Sequence, residues 1–303
     1  MRTIQHEGSV TVSLVQALRA ANDVGIRVDS RVVAQAVDYD SAGPAEFIVD
    51  KDRNFYFLEM NTRLQVEHPV TELITGVDLV EQMLRSAAGE KLNLTQDDIK
   101  IHGWAVESRI YAEDPYRTFL PAIGRLVRYQ PPAEGEHGLY QVRNDTGVRE
   151  GDEISMFYDP MIAKLICHGA SRNEARQKLI TALEALELTG IHHNAPFLHR
   201  VLNDDAFAGG ELDTRLLEHR PQLLEATGTD PALLALAASQ VFAANNASSS
   251  PWQSLQGWRP LGRRFRQTPL QVDGDLVTVR EQDGCAAVGD QQAPLSATLT
   301  DHD

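Results

Sequence analysis

The chain has 303 residues, enough for about two domains with a sizeable core. Its hydrophobic fraction of 42% and charged fraction of 23% are ordinary for a globular protein, and a net charge of −15 argues against nucleic acid or an anionic membrane as principal partner. Only Cys167 and Cys285 are present, no apolar run reaches the length of a membrane span, and the N-terminal stretch lacks the apolar region of a secretory signal, so a reducing, cytoplasmic location is expected.

In chain order, Val10, Leu14, Val15 and Leu18 repeat at helical spacing up to Gly25, and residues 31–36 read as the end of a helix. Turn residues 40–44 lead into Ala45-Glu-Phe-Ile-Val49, which alternates in polarity; Lys51-Asp-Arg-Asn54 supplies a turn, and residues 55–68 alternate again. This spacing predicts a β-hairpin in which Asp50 pairs with Phe55, a register that sets Glu46 opposite Glu59. Extended as far as Glu67, the second strand puts Glu59, Asn61, Arg63, Gln65 and Glu67 on one polar face that begins with Phe55 and Phe57. Alternation alone reads most simply as an amphipathic strand with a solvated face. Facing carboxylates repel, however, so the Glu46–Glu59 pair requires solvent, a proton or a cation. With the amide oxygen of Asn61 the pair offers hard oxygen ligands suited to Mg²⁺ or Mn²⁺, and Arg63 offers a planar fork for a small oxyanion.

Downstream, Leu79, Val80, Met83, Leu84 and Ala87 lie at helical spacing before Gly89 and predict a core helix over residues 78–88. Residues 104–113 alternate as a strand, with Glu107, Arg109, Tyr111 and Glu113 on one face; by spacing alone these are surface ion pairs. Ser171-Arg-Asn-Glu174 is a capping box for a helix through Leu186, striped with Ala175, Leu179 and Leu183. His192, His193 and His199 have no metal-ligand spacing and read as surface or cap residues. Residues 230–245 read as an Ala/Leu-rich helix and 245–251 as a linker.

The stretch Glu59-Met-Asn-Thr-Arg-Leu-Gln-Val-Glu-His-Pro-Val-Thr-Glu72 closely resembles the active-site segment of biotin carboxylases, the ATP-grasp component of biotin-dependent carboxylases. The likeness continues through residues 75–82, 109–115, 119–121 and 158–166, and covers residues 32–217 in all. Residues 250–259 resemble, over a shorter span, the start of the transition domain that links carboxylase to biotin carrier in acyl-CoA carboxylase α subunits. The resemblance implies an α+β fold. Residues 1–102 would be the C-terminal part of an ATP-grasp domain, 103–220 the biotin carboxylase C-terminal domain, 221–251 a helix and linker, and 252–303 the β-rich start of the transition domain.

The function implied is carboxylation of biotin on a separate carrier domain, driven by ATP and fed by bicarbonate, within an acyl-CoA carboxylase. A carboxyltransferase subunit and a homodimer are among the partners it implies. Carried over by position, Glu46, Glu59 and Asn61 would hold Mg²⁺ or Mn²⁺ on ATP, while Arg63, Gln65 and the backbone amide of Val66 would hold bicarbonate. Glu67 would be the general base, and Arg109 would face the biotin ureido oxygen. The family's N-terminal domain and glycine-rich phosphate lid are not in this sequence, so the chain alone is expected to be inactive. A non-catalytic module that docks to carboxylase partners is the alternative reading.

Overall fold

The computed structural model describes residues 38–132 except Gln96, residues 142–225, Leu234 and Ala237, and four strands between Phe265 and Pro294. The helices expected within residues 1–36, the linker at 245–251 and the segment 250–259 lie outside the described residues, as does nearly all of the helix at 230–245. The chain divides into two compact units, residues 1–225 and 226–303.

The first unit opens with the hairpin of β1 (Ala45–Val49) and β2 (Phe55–Met60). Asp50 closes its turn. One carboxylate oxygen accepts from the amides of Asp52 and Asn54, the other from the Asn54 side chain, and the Asn54 bonds lead in holding this carboxyl below its usual range. Arg53 takes the left-handed conformation, φ 67°, that such a turn needs. The observed register corrects the expected one at the turn: Phe55 pairs with Val49 rather than Asp50. An irregularity between Glu46 and Phe47 then makes Leu58 the extra residue of a β-bulge, and beyond it Glu46 does face Glu59. The bulge also reverses the facing of the side chains. Phe57 pairs with Phe47, their rings edge to face at 5.8 Å, on the side of the hairpin opposite to Glu46 and Glu59. Phe57, 52% exposed, therefore does not introduce the acidic face as the alternation predicted.

The strand also ends sooner than predicted. After Met60 only the Asn61 amide continues the pairing, donating to Pro44 O, and Pro44 has no N–H to extend the ladder. Residues 61–67 turn instead into helix α1 (His68–Thr75), which Pro69 opens and Gly76 ends in the left-handed conformation. Helix α2 (Leu79–Ala87) follows, with the Asp78 carboxylate accepting from the Glu81 amide as its N-cap. Its apolar stripe is not core: α2 buries no residue, and Leu84 is 68% exposed. Periodicity fixes which face is apolar without fixing what covers it.

A three-stranded antiparallel sheet centres the unit: β3 (Trp104–Tyr111), β4 (Val142–Thr146) and β5 (Met161–Gly169), with β5 in the middle. Helix α3 (Arg172–Glu184) starts at the N-cap Ser171, as the capping box predicts, and buries Ala175, Leu179 and Leu183. These pack with Ile110, Leu165 and Cys167 of the sheet and with Phe197, Leu198 and Leu202 of α4 (Ala195–Asn203) in the main core. The other side of the sheet carries a smaller cluster, Ala105 and Ile166 against Val70 and Ile74 of α1. Thus α1 is clamped over that face, and the turn before it is held at the edge of the sheet.

The second unit shows an antiparallel meander of β6 (Phe265–Val272), β7 (Asp275–Gln282), β8 (Cys285–Val288) and β9 (Gln291–Pro294). Pro269 lies in β6, an edge strand, where a missing N–H is tolerated. Buried Val279, Ala286 and Val288 mark its inner face. No helix among the described residues is long and apolar enough to cross a membrane.

Candidate active site

Two groups of side chains meet where the hairpin runs into α1. The first is the acid pair. Asn61 Nδ2 donates to Glu46 at 2.8 Å and to Glu59 at 3.2 Å, so one amide nitrogen bridges both carboxylates. Gln65 Nε2 reaches the same Glu46 oxygen at 3.1 Å. A partly positive N–H thus occupies the position between the acids that a cation would favour. The donor set fits Mg²⁺ or Mn²⁺, which is held through one or two carboxylates with substrate phosphates completing the shell. Among the described residues no three or more His, Cys, Asp or Glu converge, so Glu46, Glu59 and, once its amide is turned, the oxygen of Asn61 are what the chain offers.

The second group lies on the α1 side of the sheet. Register places Arg109, Lys164 and Asp145 in one row across β3, β5 and β4, with Glu107, Ile166 and Arg143 in the next. Glu67, in the turn before α1, receives Arg109 at 2.7 Å, and both are 19% exposed. The Nε of Arg109 reaches Glu107 at 3.3 Å. Lys164, nearly buried, donates to Val66 O at 2.9 Å and pairs with Asp145 at 3.2 Å. Arg143 grips Asp145 with two nitrogens and Glu72 of α1 with a third at 2.6 Å. Burial works against the charge of Asp145, but the bonds from Arg143 and Lys164 outweigh it and hold the carboxyl below its usual range. In turn, the Asp145 and Glu72 bonds raise the Arg143 guanidinium.

These ties anchor the Val66–Glu67 turn to the sheet on both sides. Arg109 itself is fixed from behind by Asn194, fully buried, whose side chain accepts from the Tyr111 amide at 2.9 Å and donates to Arg109 O at 3.1 Å. Glu107 is 3% exposed, and its Oε2 has no partner among the described residues. Desolvation pushes its carboxyl up to about 7, although Lys164 and Arg109 pull the other way.

The structure therefore brings Glu46, Glu59, Asn61 and Gln65 into one set, and Glu67 with Arg109 into another. Arg63 joins neither; it is exposed and donates to Leu64 O at 3.3 Å. Val66 enters through its carbonyl, occupied by Lys164. Sequence reasoning gave no site role to Glu107, Lys164, Asp145, Arg143, Glu72 or Asn194. One signal was available: Lys164 stands inside Met-Ile-Ala-Lys-Leu-Ile-Cys, and a lone lysine in an otherwise apolar strand is rarely buried without a partner. His199 pairs with Glu184 at the surface as expected, whereas His193 is neither surface nor cap: it is partly buried and bonds Leu188 O.

An acid pair with hard oxygen donors and an arginine that bridges two carboxylates is a donor set that can hold a divalent cation and position an anion. Comparison with known proteins makes this specific. Residues 107–219 match the biotin carboxylase C-terminal domain, and residues 1–95 match the ATP-binding domain of the carbamoyl-phosphate synthase L chain. The chain belongs to the biotin carboxylase family, with its ATP-grasp and C-terminal α+β architecture. It is 55% identical over 287 residues to the propionyl-CoA carboxylase alpha chain of Ruegeria pomeroyi, covering 88% of this chain and 42% of that one. To the mitochondrial propionyl-CoA carboxylase alpha chain of Homo sapiens it is 53% identical over 186 residues, 61% of this chain and 25% of the other. Among solved structures it is similar to the biotin carboxylase domain dimer of Hydrogenobacter thermophilus 2-oxoglutarate carboxylase, in complex with MgADP, ADP and bicarbonate. That likeness has a TM-score of 0.62 and 39% identity, and covers 72% of this chain and 46% of that one. The chain spans less than half the length of these relatives.

Proposed function

We propose that the chain supplies the metal-binding and bicarbonate-activating half of a biotin carboxylase within an acyl-CoA carboxylase, carboxylating biotin on a carrier domain at the expense of ATP. The observation that carries this reading is the 2.7 Å bridge between Glu67 and Arg109, contributed by the two segments that match different domains of the family. Bound at Glu46, Glu59 and Asn61, Mg²⁺ or Mn²⁺ would offset charge on the ATP phosphates. Gln65 and Arg63, the latter free to swing from its exposed position, are positioned to hold bicarbonate with the Val66 backbone. Glu67, relieved of Arg109, takes the bicarbonate proton; Arg109, so released, meets the oxygen that gains negative charge as biotin reacts. The pairing in the free protein holds the two groups against each other until substrate separates them.

Partners under this reading are the biotin carrier domain, a carboxyltransferase subunit and a second copy of the chain, in the cytoplasm. Residues 1–102 act as the ATP-grasp part and 103–220 as the C-terminal domain, with 221–251 as helix and linker and 252–303 opening the transition domain. The test is complementation: co-expression with the N-terminal part of a relative that this sequence does not span should give bicarbonate- and biotin-dependent ADP release. Glu67→Gln should then abolish it, while Arg109→Ala should spare bicarbonate-dependent ATP cleavage more than carboxyl transfer. Wild-type rates in both variants would refute the assignment; no restoration in any combination would favour a docking module.

A further inference from the structure

Glu107 has no part in the reaction just described, yet among the described residues it is the most deeply buried charged side chain. It faces the charged row from β3. The charges that act on it are Lys164 on β5, Arg109 on its own strand and Glu67 in the turn before α1; tied to these, or next along the row, are Asp145 and Arg143 on β4 and Glu72 and His68 on α1. The ionic partners are matched without it: Arg109, Lys164 and Arg143 are balanced by Glu67, Asp145 and Glu72, each within 3.3 Å of an opposite charge. His68, with Nδ1 on Gln65 O and Nε2 4.0 Å from Glu72, adds no charge when neutral. An ionised Glu107 is thus a supernumerary anion at a buried position, and its only bond is the 3.3 Å contact from Arg109, the residue that also holds Glu67.

We propose that Glu107 is a positioning residue whose protonation is coupled to that of Glu67 through the Arg109 they share, so that each carboxyl sheds its proton to solvent when the other takes one. With Glu67 ionised, Arg109 is drawn to it and the balanced cluster keeps Glu107 protonated. When Glu67 gains a proton the guanidinium is left with Glu107 as its anionic partner, and Glu107 ionises. One proton enters and one leaves, and the net charge of the buried cluster is unchanged. The part of this that bears on turnover, with bicarbonate as the proton source, rests on the biotin carboxylase reading above; the coupling itself does not.

The experiment is infrared spectroscopy of the full chain across neutral pH, reading the C=O stretch of buried protonated carboxyls in wild type, Glu107→Gln and Glu67→Gln. The wild type should show a band that titrates near neutrality and that Glu107→Gln lacks. In Glu67→Gln, which imitates the protonated base, the band should titrate at lower pH, a loss of proton affinity of about tenfold for removal of one close like charge. Should Glu67→Gln fail to fold, Glu67→Asp, one methylene shorter, loosens the bridge to Arg109 and should move the band in the same direction. No neutral-range band in the wild type, or a band that keeps its titration point when residue 67 is changed, overturns the proposal. Because no arm requires turnover, the result is independent of whether complementation restores activity.

Discussion

Replacing Glu107 by glutamine should stabilise the first unit above neutral pH, although it removes a hydrogen-bonded residue. Burial raises the folded-state carboxyl from an ordinary 4.5 to about 7. Between those values the folded form holds a proton that the unfolded chain has already lost, so stability falls as pH rises through the window and is level above it. About 2.5 pH units at roughly 1.36 kcal/mol each amounts to ~3 kcal/mol withdrawn from the folded state by the time Glu107 is ionised. Glutamine has the same shape, never ionises and keeps an oxygen for Arg109 Nε; the 3.3 Å charge-assisted bond that it weakens is already counted in the raised carboxyl. The net expectation at alkaline pH is a gain of ~3 kcal/mol, which disappears near pH 5. Amide exchange along β5, measured on wild type and variant at the same pH, reads the opening of the first unit by itself and cancels intrinsic rates. The variant's β5 amides should be protected on the order of a hundredfold more at high pH and no more than the wild type's at low pH. A pH-independent difference, or lower protection of the variant at high pH, would refute the reasoning.

Asn194→Ala should be among the costlier single changes, since it strands the buried Tyr111 N–H and Arg109 carbonyl; ~2–4 kcal/mol of lost stability is expected, measurable by denaturant unfolding of the first unit. Gly190→Ala should also destabilise strongly, because φ is 108° there and a Cβ would sit 2.2 Å from Arg125 O; a normal unfolding midpoint would contradict that backbone. Thermal melting with and without millimolar Mn²⁺ tests the acid pair: wild type should gain stability on metal addition, and Glu46→Gln should lose most of that gain while melting slightly higher than wild type without metal.

How much of this was legible in the sequence depends on whether a residue's environment is set locally. The hairpin was, because alternation and Asp50-Lys-Asp-Arg-Asn54 turn chemistry act within a few residues, and so was α3, whose capping box closes over one turn. The facing of Phe57 was not. A bulge leaves no periodic trace, and the one at Leu58 undid a one-residue error at the turn for Glu46 and Glu59 while reversing the side on which the phenylalanine lies. The helix at His68–Thr75 was hidden by the polar alternation running into it, which continues on paper where Pro44 has ended the ladder in space.

The largest omission was the charged row, and its cause is topological. Arg109, Lys164 and Asp145 lie on strands separated by long stretches of chain, and only the antiparallel register of three strands makes them neighbours. From spacing alone Glu107 and Arg109 are two solvated residues of a surface strand, whose pairing would be worth little. Covered by α1, the same two residues become a buried acid and a guanidinium that two acids share. What separates the readings is the cluster of Val70, Ile74, Ala105 and Ile166, which lies on the same side of the sheet and holds α1 down over it. The apolar end of that face therefore governs the chemistry of the polar end. A substitution that loosens the cluster, such as Ile74→Ala, should let water in and lower the Glu107 carboxyl toward its ordinary range, although Ile74 carries no charge and takes no part in the ionic network.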